Sequence, residues 1–207
     1  NKYLNIKEIK IMSKENEDTK DIYKNTGGQD MEALECIKTR RSVRKFKEDI
    51  IPDEVIRELV ELASYSPSWK NTQTIRYISV SDPEKIKKIA EEGVMGFALN
   101  EKTVSRAHQL MVVTQKNSIC GYERDGSFST SKGAGWEMFD AGIAAQTFCL
   151  AAHEKGIGTV ILGVFDDKKV GEIVGVPEGQ TVATVIAMGY PVFAPEMPPT
   201  FLSSNTP

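Results

Sequence analysis

Five consecutive residues, Arg40-Arg41-Ser42-Val43-Arg44, could together bind a small anion. Three guanidinium groups and one hydroxyl lie within a short piece of chain. Guanidinium groups bind phosphate through charge-assisted, partly bidentate hydrogen bonds. An isolated run of arginines is more typical of a solvated basic surface. The run therefore predicts a phosphate site only in combination with other features.

Two further segments could contact a flat, polar ligand. The loop Ser66 to Gln73 is dense in amides and hydroxyls that can pair with the edge of a heterocycle, although Ser, Pro and Asn also favour ordinary turns. Glycines between Gly156 and Asp166 allow a backbone to approach a planar ligand closely. A capped helix followed by a core strand is the alternative, and it explains Gly163 only in part.

Other kinds of site are disfavoured. No Gly-x-Gly-x-x-Gly follows a predicted strand, and no phosphate-binding loop ending in Gly-Lys-Ser/Thr is present. The two histidines, His108 and His153, are too few for a histidine-based metal site, and no Ser-His-Asp set is evident. The three cysteines lack metal or redox spacing, and their odd number without an export signal predicts reduced thiols in the cytoplasm.

The composition indicates an ordinary globular protein. A chain of 207 residues is long enough for one substantial domain, and 40% of its residues are hydrophobic. The net charge of -3 and the pI near 5.6 argue against a general nucleic-acid binder. No apolar run approaches the roughly 20 residues that span a bilayer, so no membrane partner is expected.

Helices and strands alternate in the hydrophobic pattern, which predicts a layered α/β or α+β domain. The predicted strands are 75–80, 110–114, 159–162 and 181–188. The predicted helices are 31–39, one opened by Pro52, 84–92, 136–155 and 167–174. The helix 136–155 is apolar nearly all round, and such a helix must be buried on most sides. We therefore expect it at the centre of a dimer interface.

The two ends of the chain differ from the middle. Residues 1–30 are rich in Lys, Glu, Asp and Asn, which predicts an extended or loosely helical arm. We expect this arm to pack against another surface, such as that of a second subunit. Met31 is the expected start of the core domain, residues 31–191. Residues 192–207 form a C-terminal tail without Lys or Arg.

In their order and spacing, these elements resemble the nitroreductase family of FMN-dependent oxidoreductases. The resemblance covers most of the chain from Met31 to Pro191. The segment Phe-Asp-Ala-Gly-Ile-Ala-Ala-Gln from Phe139 resembles the central dimer helix of that family, and the segment ending in Met-Gly-Tyr-Pro resembles its last core strand. The resemblance implies an α+β, three-layer fold with a mixed β-sheet flanked by helices, in an intertwined homodimer.

The resemblance also implies roles for individual residues. The FMN phosphate and ribityl chain would be held by Arg40, Arg41, Ser42 and Arg44. A loop that reaches the flavin from the partner subunit would contribute Pro67, Ser68, Asn71 and Gln73. The ring would be lined by Asn100 at its pyrimidine edge and by Leu162 and Gly163 near N5. The FMN sites would then lie at the interface of the homodimer.

The sequence departs from the family pattern at Thr74-Ile75, where Pro-Trp is common, and in the tail, which lacks the base that often completes the phosphate grip. Its short segment between Thr114 and Trp136 predicts an open substrate face. The implied reaction is ping-pong: NAD(P)H reduces the flavin and leaves, and a nitroaromatic, quinone or similar electron-poor acceptor then takes the reducing equivalents. Two alternatives stay open: another flavin reaction, such as reductive dehalogenation or flavin breakdown, and a non-enzymatic flavin-binding protein.

Overall fold

Helices and strands alternate along the chain in the computed structural model, which describes residues 2–4, by their backbone alone, and residues 31–192. The strands are β1 (Lys2–Leu4), β2 (Ile75–Val80), β3 (Gln109–Lys116), β4 (Gly158–Leu162) and β5 (Gln180–Gly189). The α-helices are α1 (Ala33–Thr39), α2 (Asp53–Ala63), α3 (Pro83–Lys88), α4 (Ala98–Val104), α5 (Gly135–Glu154) and α6 (Asp167–Val174). A 3-10 turn, Trp69–Asn71, and a π-helical turn, Ile89–Gly93, complete the described elements.

The strands form one sheet in the order β1-β2-β3-β5-β4. All pairings between these strands are antiparallel, so the sheet is not mixed in the described residues apart from one isolated parallel bridge, Ser42 to Thr159. Residues 2–4 pair with β2 of their own chain. The remaining predictions for the arm and the tail concern residues 5–30 and 193–207, which lie outside the described part.

Helices cover both faces of the sheet, which confirms the predicted three-layer α+β fold. One face packs against α2 and α5 and the other against α3, α4 and α6, with a separate apolar core on each side. Along β3, Met111 and Val113 contribute to the first core, and Leu110 and Val112 to the second. Adjacent side chains of a strand point to opposite faces, so this central strand is apolar on both faces over residues 110–113.

Most predicted elements are confirmed within one or two residues, but one predicted helix differs and one observed helix was not predicted. The predicted helix 84–92 is an α-helix only to Lys88 and continues as the π-helical turn. Helix α4 was not predicted. It has only seven residues, and Phe97 at its N-terminus makes no side-chain capping bond, so neither periodicity nor a capping residue marks it.

Within one chain, the central helix α5 is buried on one face only. Its sheet-side residues are buried, including Ala144, Phe148 and Ala152. On its other side Met138 is 54% and Phe139 58% exposed. The prediction that a second subunit covers this side stays a prediction.

None of the helices in the described part of the chain is long and apolar enough to cross a membrane. All three cysteines lie in this part, and they are buried and unpaired.

Candidate functional site

The basic run lies directly against β4. Helix α1 ends at Thr39, and Arg40 turns the chain into an extended conformation with φ −54° and ψ 128°. The Val43 amide then donates to the Thr159 carbonyl at 2.9 Å. A Cβ atom added to Gly158 would lie 2.7 Å from the Val43 Cβ. Glycine at 158 is therefore required for the run to approach the strand so closely.

The guanidinium groups of the run are only partly used within the chain. Arg41 Nη1 donates to the carbonyls of Lys38 and Arg40, at 2.6 and 2.8 Å. Among residues 31–192, no carboxylate forms an ion pair with Arg40 or Arg44. Arg44 is exposed and Arg40 is half-buried. Beside one strand end, the two guanidinium groups without a carboxylate partner in the described part of the chain form a local site for an anion.

Helix α1 holds the run in place by packing on the C-terminal half of α5. The Cys36 thiol donates to the Leu150 carbonyl at 3.4 Å, and Thr39 Oγ1 lies 2.8 Å from His153 Nε2. Burial lowers the pKa of His153, and the nearby charges of Arg40 and Arg41 lower it further. The positive charges of the two arginines therefore disfavour protonation of His153.

The other predicted ring-side residues lie at the far end of the same strand. Leu162 is the last, buried residue of β4, and the exposed Gly163 has open space where a side chain would project. The buried Asn100, in α4, donates from Nδ2 to the Val164 carbonyl at 2.8 Å. Four residues of strand separate Thr159 from Gly163, or roughly 13 Å. The basic run and Asn100 thus lie at opposite ends of one edge strand.

The loop Ser66 to Gln73 is held in a constrained conformation. Its 3-10 turn is followed by Gln73, whose amide donates to Ser68 Oγ at 3.0 Å. Lys70, Asn71 and Gln73 have positive φ angles of 43°, 56° and 50°. Such angles are uncommon for residues other than glycine and occur often at binding sites.

Within one chain, this loop does not join the basic run. The Trp69 amide donates to Asp140 Oδ2 at 2.8 Å, which attaches the loop to the first half of α5. The run is attached near His153, thirteen residues further along the helix, which corresponds to roughly 20 Å. Of the predicted residues, the structure places one group along β4: Arg40, Arg41, Ser42, Arg44, Asn100, Leu162 and Gly163. It places the other group apart from them: Pro67, Ser68, Asn71 and Gln73.

Asp140 is a site-supporting residue that sequence reasoning missed. Besides the Trp69 amide, its Oδ2 accepts from the Cys120 thiol at 3.1 Å, and the side chain is buried. Burial and the Asp140 hydrogen bond raise the pKa of Cys120 to about 12. The available signal was an acidic residue in an otherwise apolar stretch of helix, because a buried carboxylate requires hydrogen-bond donors.

Replacing Asp140 with alanine is expected to destabilise the fold by about 1–3 kcal/mol, because the Trp69 amide and the Cys120 thiol lose their acceptor. Urea unfolding measures this loss. Asp140→Asn is the matched variant, since it keeps one acceptor oxygen, and it should recover much of the loss. Equal stability of Asp140→Ala and the wild type would contradict this role.

Gly158→Ala is expected to destabilise the protein by about 1–3 kcal/mol, because the new methyl group overlaps the Val43 side chain. Combining it with Val43→Gly should cost less than the sum of the two single changes in urea unfolding. Gly171→Ala is the control: its new Cβ meets Val182 at an ordinary 3.7 Å, inside a helix. If the free-energy changes of Gly158→Ala and Val43→Gly are strictly additive, the new methyl group does not overlap the Val43 side chain.

Comparisons with known proteins agree with this architecture. The model of the nitroreductase family matches residues 37–190. A protein of Methanothermobacter thermautotrophicus with a provisional NADH dehydrogenase/NAD(P)H nitroreductase name is 31% identical over 169 residues, or 80% of each chain. The NADPH-flavin oxidoreductase of Vibrio harveyi is 29% identical over 80% of this chain and 68% of its own.

Solved structures show the same fold. A nitroreductase family protein from Clostridium novyi NT superposes with a TM-score of 0.67 at 25% identity, covering 81% of this chain and 90% of its own. The NADPH:FMN oxidoreductase of Vibrio harveyi, complexed with NAD+, superposes with a TM-score of 0.66 at 26% identity, covering 83% and 74%. With its matching sequence and its three-layer fold, the chain belongs to the nitroreductase family.

Proposed function

We propose that this protein is an FMN-dependent oxidoreductase that uses NAD(P)H to reduce nitroaromatic, quinone or similar electron-poor acceptors in a ping-pong reaction. The observation that carries the proposal is the arrangement along β4. The guanidinium groups of Arg40 and Arg44, which form no ion pair with a carboxylate of residues 31–192, lie at its start, and the open Gly163 follows its end.

As a member of this family, the chain is an NAD(P)H-dependent oxidoreductase. The names of the Vibrio harveyi relatives add support for a flavin and for FMN in particular. Cytoplasmic location remains a prediction from the odd number of unpaired cysteines.

The residues present fit FMN at both ends of the strand. The phosphate and ribityl chain would be held by Arg40, Arg41, Ser42 and Arg44. Among the described residues, no carboxylate pairs with Arg40 or Arg44, so their positive charge can act on the phosphate. The ring would lie beside Leu162 and Gly163, where the absence of a side chain leaves room for a planar group. Asn100 would line its pyrimidine edge with Oδ1 and the second Nδ2–H, because the first Nδ2–H is donated to the Val164 carbonyl.

A homodimer would bring the separated loop to the site. Exposed apolar side chains on α1 and α5 are candidates for the interface: Leu34 is 70%, Ile37 59%, Met138 54% and Phe139 58% exposed. Leu34 and Ile37 lie one helical turn apart on α1, and Met138 and Phe139 are adjacent on α5, so each pair forms an exposed apolar patch of the kind that marks protein contacts. If α5 packs against its symmetry mate, the loop of one subunit, with Pro67, Ser68, Asn71 and Gln73, can reach the basic run of the other.

The protein's own part in the reaction is binding and orientation. When bound, the flavin supplies the hydride chemistry, accepting from NAD(P)H and passing on to the acceptor. The arginines would bind the phosphate end, the backbone at Gly163 would offer an N–H near N5, and Asn100 would hold the pyrimidine edge. No acid or base side chain is assigned, because solvent can supply protons at an open face.

Purified protein tests the proposal directly. It should carry the yellow colour of bound FMN, bleach with NADH or NADPH without oxygen, and regain its colour on addition of a quinone or nitroaromatic compound. Protein that stays colourless and cannot be loaded with FMN would overturn the proposal. Bound flavin that no nicotinamide reduces would favour a flavin-binding protein. Aerobic turnover with product analysis separates acceptor reduction from dehalogenation and flavin breakdown.

A further inference from the structure

His153 lies beside the basic run and has no role in the function proposed so far. Its Nε2 is 2.8 Å from Thr39 Oγ1, and Thr39 directly precedes Arg40. The side chain is half-buried between α1 and the end of α5. A histidine next to an anion site can change its charge near neutral pH, unlike the arginines.

The hydrogen bonds of Thr39 determine which nitrogen of His153 carries the proton. Thr39 Oγ1 lies 2.7 Å from the Glu35 carbonyl, which can only accept. The single hydroxyl proton is therefore used there, and His153 Nε2 must donate to Oγ1. Nδ1 is then the nitrogen that gains a proton, so the imidazole can become charged without losing its bond to Thr39.

Among the described residues, charged and titratable groups lie near His153 on both helices that pack there. Arg40, Arg41 and the Cys36 thiol come from α1 and the segment after it, and Glu154 and the Cys149 thiol from α5. The neighbouring Lys155 is paired with Glu58 at 2.8 Å. Because the two arginines oppose protonation of His153, an anion that neutralises them would favour it.

We propose that His153 is a further residue of the phosphate site, which becomes protonated when the phosphate of FMN binds to the basic run. This rests on the function proposed above. The added cation would supplement the charges of Arg40, Arg41 and Arg44 at the phosphate. Since the complex binds one proton more than the free protein, affinity for FMN rises as pH falls through the pKa of His153.

The experiment measures the Kd of FMN and of riboflavin by flavin fluorescence at pH 8 and pH 6, for the wild type and for His153→Gln. Between these pH values, the wild type should gain more FMN affinity than the variant, and the extra gain should rise to roughly three- to tenfold at a pH below the pKa of His153 in the free protein, as a shift of half to one pKa unit requires. The variant corrects for titration of the FMN phosphate itself, whose second pKa is near 6. Riboflavin, which has no phosphate, should show no such difference.

A second measurement does not depend on the variant. The proton NMR titration of His153 should give a pKa higher by half to one unit with FMN bound than with riboflavin bound, and His108→Gln assigns the two histidine signals. An equal pKa in the two complexes, or equal pH dependence in wild type and His153→Gln, overturns the inference while FMN binding persists. A wild type that binds no FMN overturns the proposed function as well.

Discussion

Replacing Arg40 and Arg44 together with alanine is expected to weaken FMN binding by about 10²- to 10⁴-fold. Each charge-assisted hydrogen bond contributes about 1.5–3 kcal/mol, and a tenfold change in Kd corresponds to about 1.4 kcal/mol. This loss of FMN affinity should be among the largest for a change in this protein, because it removes two of the three guanidinium groups of the run. Titration of the apoprotein with FMN, followed by flavin fluorescence, measures it.

Two controls separate the phosphate from general charge. Lys45→Ala with Lys47→Ala removes the same charge from exposed residues that directly follow the run, and it should change the FMN affinity much less. Riboflavin should bind the wild type and the arginine variant with similar affinity. An unchanged FMN affinity in the Arg40 and Arg44 variant would falsify the placement of the phosphate.

Phe139→Glu is expected to convert the proposed dimer into monomers at micromolar concentration. Burial of a Phe side chain contributes about 1.5–3 kcal/mol, and a symmetric interface counts this contribution twice. Burying the new carboxylates without partners adds to the loss. The dimer Kd should therefore rise by at least about 10²-fold, which analytical ultracentrifugation measures.

The same variant tests whether the loop serves the partner's site. If Ser68, Asn71 and Gln73 reach the flavin across the interface, FMN affinity must fall together with dimerisation. Ile50→Glu is the matched control, because Ile50 is 51% exposed but belongs to the segment before α2 and to neither α1 nor α5. Monomers that bind FMN as well as the wild type would show that each chain completes its own site. A persistent dimer would place the interface elsewhere.

Much of the fold could be predicted because it is local. The strand 75–80 and the helix 167–174 were predicted with the bounds that the structure shows, since apolar spacing and capping residues are properties of neighbouring residues. Gly156 ends α5 with a left-handed φ of 72°, as a helix-terminating glycine should. Helix α4 was missed because it lacks both signals, and the antiparallel pairing of the strands depends on contacts between distant segments.

The candidate site also combines features that local sequence patterns predict with features that depend on tertiary contacts. The sequence by itself determined the residue types that can bind a phosphate, the family to which they point, and the separate loop and glycine segments. The tertiary structure alone decided that Val43 packs on Gly158, that Asn100 uses its Nδ2 on Val164, and that Asp140 anchors the loop. Each of these is a contact between segments far apart in the chain. Such contacts depend on how helices pack on a sheet, which no local pattern of residues records.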